Sequence, residues 1–204
     1  MKIFIYGDSN TWGYFPTVDH YSGNDSKTKR HEMDVIWWNS LKDYELIVDG
    51  NIGRSSKNDH PYYENKNAIK TISKDLENVS EVDLAIIMLG TNDCKKVYGN
   101  TPSIITNNLS EIIDIIKAKL NSKILVICPP LIMPSEKTEV VYNDGTSMIR
   151  ELEKEYQKLA SEKGYYYISA TPCEVGIDGE HLTEKGHKLL GELVKKKVEE
   201  IVKE

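Results

Sequence analysis

Short apolar segments alternate along the chain with longer segments whose apolar residues recur at helical spacing. Each short segment ends at a glycine, a proline or a polar turn, and the segments are residues 2–6, 44–48, 83–89, 123–128 and 165–168. Continuous apolar runs of this length are typical of strands that are buried on both faces, as in a parallel sheet. The pattern therefore predicts five strands in one open, mostly parallel sheet.

The segments between the predicted strands carry helical patterns. The clearest lies at 104–120, where seven apolar residues follow a 3.6-residue repeat after Thr101 and Pro102, a pair that suits a helix start. Further amphipathic patterns lie at 33–41, 65–76, 148–159 and 189–201. Alternation of strands and helices predicts an α/β fold built from βαβ units. We expect a single domain over 1–204, with one long polar loop at 15–30.

Composition and charge narrow the class of protein. The chain has 204 residues, with 26 Lys and Arg against 32 Asp and Glu, for a net charge of −6. That balance argues against a general nucleic-acid binder, which needs a basic face. No apolar run reaches the roughly 18–20 residues of a membrane span, and the first residues do not resemble an export signal. Three widely spaced cysteines fit neither a disulfide framework nor a zinc site, so we expect reduced, buried thiols in a cytoplasmic protein.

Polar motifs follow the predicted strands at the end where α/β sheets bind ligands. The first three strands are followed by GDSN at 7–10, GNIGRS at 50–55 and GTND at 90–93, and DGEHLT at 178–183 comes after the fifth. If the first strand lies between the second and the third, these motifs meet at one edge of the sheet. We therefore expect the functional site at that edge.

These motifs contain the groups that acyl transfer from an ester requires. Ser9 can act as the nucleophile, His181 as its base and Asp178, three residues earlier, as the group that orients the imidazole. The backbone N–H groups of Ser9 and Gly53 and the side-chain amide of Asn92 can form an oxyanion hole. In the second motif we choose Gly53 as the donor because Gly50 terminates the predicted strand.

Taken in order, the four motifs resemble the SGNH (GDSL-type) hydrolase family. That family carries a Gly-Asp-Ser block after its first strand, an oxyanion glycine, a Gly-x-Asn-Asp block and a final Asp-x-x-His, and all four have counterparts here. The first block, the long loop after it and the two prolines after the fourth strand look like the bacterial arylesterase/acyltransferase branch. The sequence departs from the family at Asn10, where leucine is often found, and we expect no effect on the chemistry.

The resemblance implies a fold and an activity. The implied fold is a flavodoxin-like three-layer α/β/α sandwich with a five-stranded parallel sheet of order 2-1-3-4-5. The implied activity is that of a serine esterase acting on short-chain carboxylic esters through an acyl-enzyme, together with acyl transfer, without a metal or cofactor. It also implies a homo-oligomer. A deacetylase of acetylated carbohydrates is the alternative within the same chemistry.

Several assignments stay open at the level of sequence. Trp12 and Arg54 are candidate substrate-binding residues, although Arg54 also suits a structural salt bridge. Cys94 is an alternative nucleophile for which the sequence places no activating histidine, and the loop at 13–32 has no assigned role. A non-catalytic, flavodoxin-like binder of a small molecule is an alternative of another class. Such a binder does not require a set of Ser, Asp and His residues. The loop after the first predicted strand also lacks a phosphate-binding glycine motif.

Overall fold

The computed structural model of the chain describes residues 1–17 and 28–204. His20 and most of the predicted loop at 15–30 lie outside these described residues. Five parallel strands form one sheet in the order β2-β1-β3-β4-β5. The strands are β1 at Lys2–Gly7, β2 at Glu45–Gly50, β3 at Leu84–Met88, β4 at Lys123–Cys128 and β5 at Tyr166–Ser169. The predicted α/β sheet and its strand order are confirmed.

Six α-helices and three short 3₁₀ helices lie between and after the strands. The α-helices are α1 at Ser9–Trp12, α2 at Ala68–Asp75, α3 at Pro102–Leu120, α4 at Glu136–Val141, α5 at Gly145–Lys163 and α6 at Glu184–Val202, and the 3₁₀ helices are Trp37–Leu41, Asn92–Cys94 and Lys96–Tyr98. These counts refer to the part of the chain that the structure describes. As predicted, Thr101 caps α3, and its Oγ1 accepts a hydrogen bond from the backbone N–H of Ile104 at 3.3 Å.

The sheet has an apolar core on each face. One core packs α2, α3 and α5 against the sheet, and the other packs α6 and the 3₁₀ helix Trp37–Leu41 against it. Every residue of β3 is buried, whereas the edge strands β2 and β5 are partly exposed. Because β3 is buried on both faces, its sequence is an uninterrupted apolar run.

The main local departure from the sequence pattern lies at 33–41. A helix was predicted there, but the segment is a turn followed by the 3₁₀ helix Trp37–Leu41. Both indole N–H groups of this segment bond backbone carbonyls of α1, from Trp37 to Asn10 at 3.2 Å and from Trp38 to Thr11 at 2.8 Å. These tertiary contacts override the local amphipathic pattern. Helix α4, which the sequence pattern missed, is too short for a period to show.

The strand register brings three of the polar motifs together. Gly7 at the end of β1 lies opposite Gly50 of β2 and Met88 of β3. The loops that follow these three strands therefore leave the sheet side by side at its carboxyl edge. Within the described residues, no helix is long and apolar enough to cross a membrane.

Candidate active site

Ser9 lies at the first position of α1, separated from the end of β1 by one residue. Asp8 caps this helix, and its Oδ1 accepts the backbone N–H of Asn10 at 2.9 Å. Gly13 ends the helix after a single turn with a φ of +91°, a conformation that favours glycine. The Ser9 N–H belongs to the first turn, where amides have no acceptor within the helix. The turn therefore holds both the hydroxyl and the amide of Ser9 at the edge of the sheet.

A chain of hydrogen bonds joins Ser9, His181 and Asp178. The Nε2 atom of His181 is 2.8 Å from Ser9 Oγ, and its Nδ1 is 2.5 Å from Asp178 Oδ2. The other oxygen of Asp178 accepts the backbone N–H groups of Glu180 and His181 at 3.1 and 3.0 Å. All three side chains are buried. The structure thus brings the three predicted catalytic residues into hydrogen-bonding contact across 172 positions of sequence.

The environment of Asp178 favours its ionised form. Burial alone would raise the pKa of this carboxyl group, but the hydrogen bond and charge of His181 and the charge of Lys137 hold it below its ordinary value. An ionised Asp178 accepts the Nδ1 proton of the imidazole. This leaves Nε2 of His181 as the acceptor that faces Ser9.

Tyr14 covers one face of the His181 ring. The two rings are stacked with centroids 4.3 Å apart and an angle of 25° between their planes, and Tyr14 is buried. Its backbone N–H also bonds the Ser9 carbonyl at 2.9 Å. The contact fixes the orientation of the imidazole, and no motif in the sequence indicated it.

The candidate oxyanion donors lie on the two neighbouring loops. Gly53 has a φ of +78°, in the left-handed region that favours glycine. The side-chain amide of Asn92 donates one hydrogen bond to the Arg54 carbonyl at 3.0 Å. This bond orients the amide and leaves it a second N–H. The loops of Gly53 and Asn92 are thereby joined to each other beside β1.

Asp93 forms further hydrogen bonds between the loop of Asn92 and the loop of Gly53. Its carboxylate accepts the Ser56 N–H at 2.9 and 3.0 Å, the Ser56 hydroxyl at 2.5 Å and the Asn58 amide at 3.0 Å. Burial raises the pKa of Asp93 to about 6, although the hydrogen bonds from Ser56 and Asn58 act in the opposite direction. Asp93 is therefore a bracing residue, and it holds the loop of Asn92 against the loop of Gly53.

A largely buried charged cluster lies next to His181. The Glu180 carboxylate pairs with Lys137 of α4 and accepts the hydroxyl of Tyr142, and its Oε1 lies 3.9 Å from His181 Nδ1. Burial would raise the pKa of Glu180, but the charges of Lys137, His181 and Lys95 hold it far below its ordinary value. Lys137 and Tyr142 therefore connect the loop of His181 to α4 and to the segment after it.

The structure does not bring Trp12 or the Arg54 guanidinium to the hydroxyl of Ser9. Trp12 lines a hollow together with Trp38, Leu46 and Val48. The Arg54 guanidinium is buried, bonds the carbonyl of Gly7 at 3.0 Å, forms a salt bridge with Asp49 at 2.8 Å and lies over the Tyr6 ring. Arg54 therefore ties the end of β2 to the end of β1.

Cys94 is poorly suited to act as a nucleophile. Its thiol is buried and contacts the Gly90 carbonyl at 3.2 Å. Burial and the neighbouring Asp93 raise its pKa well above the ordinary value, which disfavours the reactive thiolate. Among the residues that the structure describes, no group of three or more His, Cys, Asp or Glu side chains is arranged to hold a metal ion.

Comparisons with known proteins agree with this geometry. Residues 3–194 match the family model of the GDSL-like lipase/acylhydrolases. A carbohydrate acetylesterase of Sinorhizobium meliloti, Est24, aligns with a TM-score of 0.89 at 27% identity, over 98% of this chain and 99% of that one. The M. smegmatis aryl esterase aligns with a TM-score of 0.89 at 29% identity, over 98% of both chains. A search of curated protein sequences finds no match.

The family match spans the four motifs that converge at the carboxyl edge of the sheet, from GDSN near the start to DGEHLT near the end. Est24 and the M. smegmatis enzyme cover nearly the whole of this chain. The chain therefore belongs to the GDSL-like lipase/acylhydrolase family and is a serine esterase, a carboxylic ester hydrolase.

Proposed function

We propose that the protein hydrolyses short-chain carboxylic esters through an acyl-enzyme formed on Ser9. The observation that carries the proposal is the continuous hydrogen-bonded chain from Ser9 Oγ through His181 to Asp178. Binding a ligand does not require a chain of this kind, in which a buried hydroxyl bonds an imidazole and the second imidazole nitrogen contacts an ionised carboxylate. In an esterase the same chain transfers a proton in each half of the reaction.

The first half of the proposed reaction forms the acyl-enzyme. His181 takes the proton of Ser9 as Oγ attacks the ester carbonyl, and Asp178 stabilises the imidazolium that results. The amides of Ser9 and Gly53 and the side chain of Asn92 bind the oxyanion of the tetrahedral intermediate. His181 then protonates the leaving alcohol as the carbon–oxygen bond breaks, and the acyl group stays on Ser9.

The second half releases the acyl group. Water attacks the acyl-enzyme, His181 accepts a proton from it, and collapse of the second tetrahedral intermediate returns that proton to Ser9 Oγ. An alcohol that takes the place of water receives the acyl group instead, which is the acyltransferase activity we include in the proposal. Both outcomes use the same residues in the same roles.

The surroundings of the triad favour a short acyl group. Charged and polar side chains lie next to His181: Glu180 Oε1 is 3.9 Å from its Nδ1 and pairs with Lys137, and Asn10 bonds the backbone on either side of it. A long acyl chain binds against a continuous apolar wall, because burying polar groups against hydrocarbon is unfavourable. An acetyl or similarly small group avoids that conflict.

An acetylated carbohydrate is the second candidate substrate within this reaction. It is supported by the similarity to a carbohydrate acetylesterase and by one observation on this chain: Tyr62, on the loop that follows Gly53, has 85% of its surface exposed. We also propose a cytoplasmic location, which the three free, buried cysteines support.

Hydrolysis of p-nitrophenyl acetate by the purified protein and its variants tests the proposal. We expect Ser9→Ala to lower kcat by at least about 10³-fold, because the nucleophile is lost while the oxyanion donors remain. Cys94→Ser serves as the matched control, since it alters the other candidate nucleophile, and we expect it to retain activity. Equal rates for wild type and Ser9→Ala would exclude Ser9 as the nucleophile.

A further inference from the structure

A cluster of three rings lies at the tip of the loop that follows Gly53. We call residues 57–66 the tyrosine loop. The His60 ring lies between those of Tyr62 and Tyr63, with centroid distances of 6.1 and 4.9 Å, and His60 Nδ1 accepts the Tyr62 backbone N–H at 3.2 Å. Tyr62 is 85% exposed and Tyr63 is 45% exposed. Two tyrosine rings are therefore presented to solvent beside a partly buried imidazole.

This ring cluster borders the candidate oxyanion hole. A Cβ atom added to Gly53 would lie 3.9 Å from His60 Cδ2 and 4.0 Å from the Lys66 side chain. No side chain therefore separates the His60 ring from the backbone of Gly53. The tyrosine loop therefore lies next to the glycine to which we assign the carbonyl oxygen of the ester.

The tyrosine loop is held firmly at both ends. Near its start, the Asn58 amide bonds Asp93 at 3.0 Å and Asp59 pairs with Lys70 at 2.5 Å. Near its end, the Lys66 ammonium bonds the Asn51 side chain at 2.5 Å. Because the loop is anchored before any ligand arrives, little conformational entropy is lost when a ligand contacts the exposed rings. A loop with a polar, anchored base and an aromatic tip is typical of a binding surface.

The composition of this loop indicates a ligand with both apolar faces and hydroxyl groups. Residues 57–66 read KNDHPYYENK and contain no Ala, Val, Leu, Ile or Met, so the loop itself offers no aliphatic groove for a lipid-like alcohol. Tyrosine combines a flat apolar face with a hydroxyl that donates and accepts hydrogen bonds. The pKa of His60 is lowered by burial and by the charges of Lys95 and Lys66, so its imidazole is neutral at neutral pH. Because Nδ1 accepts the Tyr62 N–H, Nε2 carries the proton and can donate a hydrogen bond.

We propose that His60, Tyr62 and Tyr63 bind the alcohol part of the ester, and that this alcohol is a carbohydrate. The proposal rests on the proposed function above, in which the acyl group is short and the extended part of the substrate is the alcohol. The tyrosine rings contact the C–H faces of the sugar, and the tyrosine hydroxyls and the imidazole bond its hydroxyl groups.

Three acetate esters that differ only in the alcohol test this proposal. Ethyl acetate has an alcohol too small to reach the loop, p-nitrophenyl acetate has an aromatic one, and glucose pentaacetate has a carbohydrate. We expect the double variant Tyr62→Ala/Tyr63→Ala to lower kcat/KM for glucose pentaacetate by about tenfold or more, mainly through KM. For ethyl acetate we expect a change of less than about twofold.

Two control variants separate ring contacts from general effects. Tyr62→Phe/Tyr63→Phe keeps both rings, and we expect it to retain most of the activity on the sugar ester. Val202→Ala removes an exposed apolar side chain at the end of α6 and should change none of the three rates. The thermal unfolding midpoint and the molar mass in solution of each variant show whether the fold and the assembly state are unchanged.

Each remaining outcome overturns the inference in a recognisable way. An equal loss on all three esters assigns the rings a structural role, and an unchanged rate on glucose pentaacetate removes them from binding. A larger loss on p-nitrophenyl acetate than on glucose pentaacetate identifies an aryl alcohol as the ligand. A changed molar mass of the alanine variant identifies the rings as a subunit contact.

The wild type alone distinguishes failure of this inference from failure of the proposed function. Absence of all ester hydrolysis in the wild type contradicts the proposed function itself. Hydrolysis of ethyl acetate and p-nitrophenyl acetate without hydrolysis of glucose pentaacetate contradicts only the carbohydrate assignment.

Discussion

The side chain of Asn10 hydrogen-bonds the backbone on both sides of His181. Its Nδ2 donates to the carbonyl of Glu180 at 3.1 Å, and its Oδ1 accepts the N–H of Leu182 at 2.9 Å. Asn10 directly follows Ser9 and is buried. One amide thus holds the loop of the proposed base against the turn of the proposed nucleophile.

We predict that Asn10→Leu weakens both activity and stability. The substitution leaves two buried backbone groups without partners, which we expect to lower the free energy of unfolding by about 1–3 kcal/mol. It also frees the loop of His181, so kcat should fall by about tenfold or more, with a smaller change in KM. Urea unfolding and ester hydrolysis measure the two effects.

Asn39→Leu provides a matched control for this substitution. Asn39 lies on the 3₁₀ helix Trp37–Leu41, and within residues 1–17 and 28–204 the one hydrogen bond of its side chain is a long 3.5 Å bond to the Asp34 carbonyl. We expect near wild-type kcat for it. An Asn10→Leu enzyme with unchanged kcat would show that the bonds on either side of His181 are dispensable for catalysis.

Asn92→Ala should slow the chemical step without weakening the binding of substrate. If the Asn92 amide binds the oxyanion, its loss lowers kcat by roughly 10²–10³-fold and leaves KM nearly unchanged. Asn100→Ala is the control, because the Asn100 amide bonds the backbone of Asp93 at 2.9 Å and supports the same loop. A similar fall in kcat for both variants would assign Asn92 to loop support instead of the oxyanion.

Asp8→Asn should stabilise the protein at neutral and alkaline pH. Asp8 is fully buried, and burial raises its pKa from 3.8 to about 6 although its bond with Asn10 acts against this. Its Oδ2 has no hydrogen-bond partner among the described residues. Asparagine keeps the capping oxygen and removes the buried charge, and asparagine and aspartate cap helices about equally well.

The sign of this effect follows from proton binding. The folded protein holds the Asp8 proton more tightly than the unfolded chain does, so the penalty for ionisation is absent below about pH 4 and complete above about pH 6. We expect Asp8→Asn to raise the free energy of unfolding by about 1–3 kcal/mol at pH 8, with the gain vanishing near pH 4. Urea unfolding at several pH values measures it, and a gain that grows towards low pH would contradict the account.

Lys137→Met should be strongly destabilising. It leaves the buried Glu180 carboxylate without its cation, and breaking a buried pair in this way costs about 3–5 kcal/mol. The double variant Lys137→Met/Glu180→Gln removes both charges, and we expect it to recover much of that loss. If the double variant is no more stable than Lys137→Met alone in urea unfolding, the pair does not act as a unit.

The features of the fold that could be predicted from the sequence are those that local sequence pattern determines. The strands, their parallel pairing and the meeting of the motifs follow from apolar runs and from residues at the strand ends. The resemblance supplied the strand order. We expected the departure at Asn10 to have no effect on the chemistry. Its two hydrogen bonds could not be predicted from the sequence, because they form only once the loop of His181 has folded against α1.

Contacts between distant segments could not be predicted from one sequence. The pairing of Glu180 with Lys137 joins residues 43 positions apart, and it requires α4, which no periodicity indicated. The stacking of Tyr14 on His181 depends on how α1 ends at Gly13. Arg54 was a candidate for substrate contact, whereas its bonds to Gly7 and Asp49 depend on the parallel pairing of β1 with β2.

Covalent labelling tests the central claim, that Ser9 is the nucleophile and His181 its base, most directly. We would treat the wild type, Ser9→Ala and His181→Ala with a fluorophosphonate and locate the label by mass spectrometry of the digested protein. The account predicts stoichiometric labelling of Ser9 in the wild type, none in Ser9→Ala and much slower labelling in His181→Ala. A label on another residue of the wild type, or equal labelling rates in wild type and His181→Ala, would contradict it.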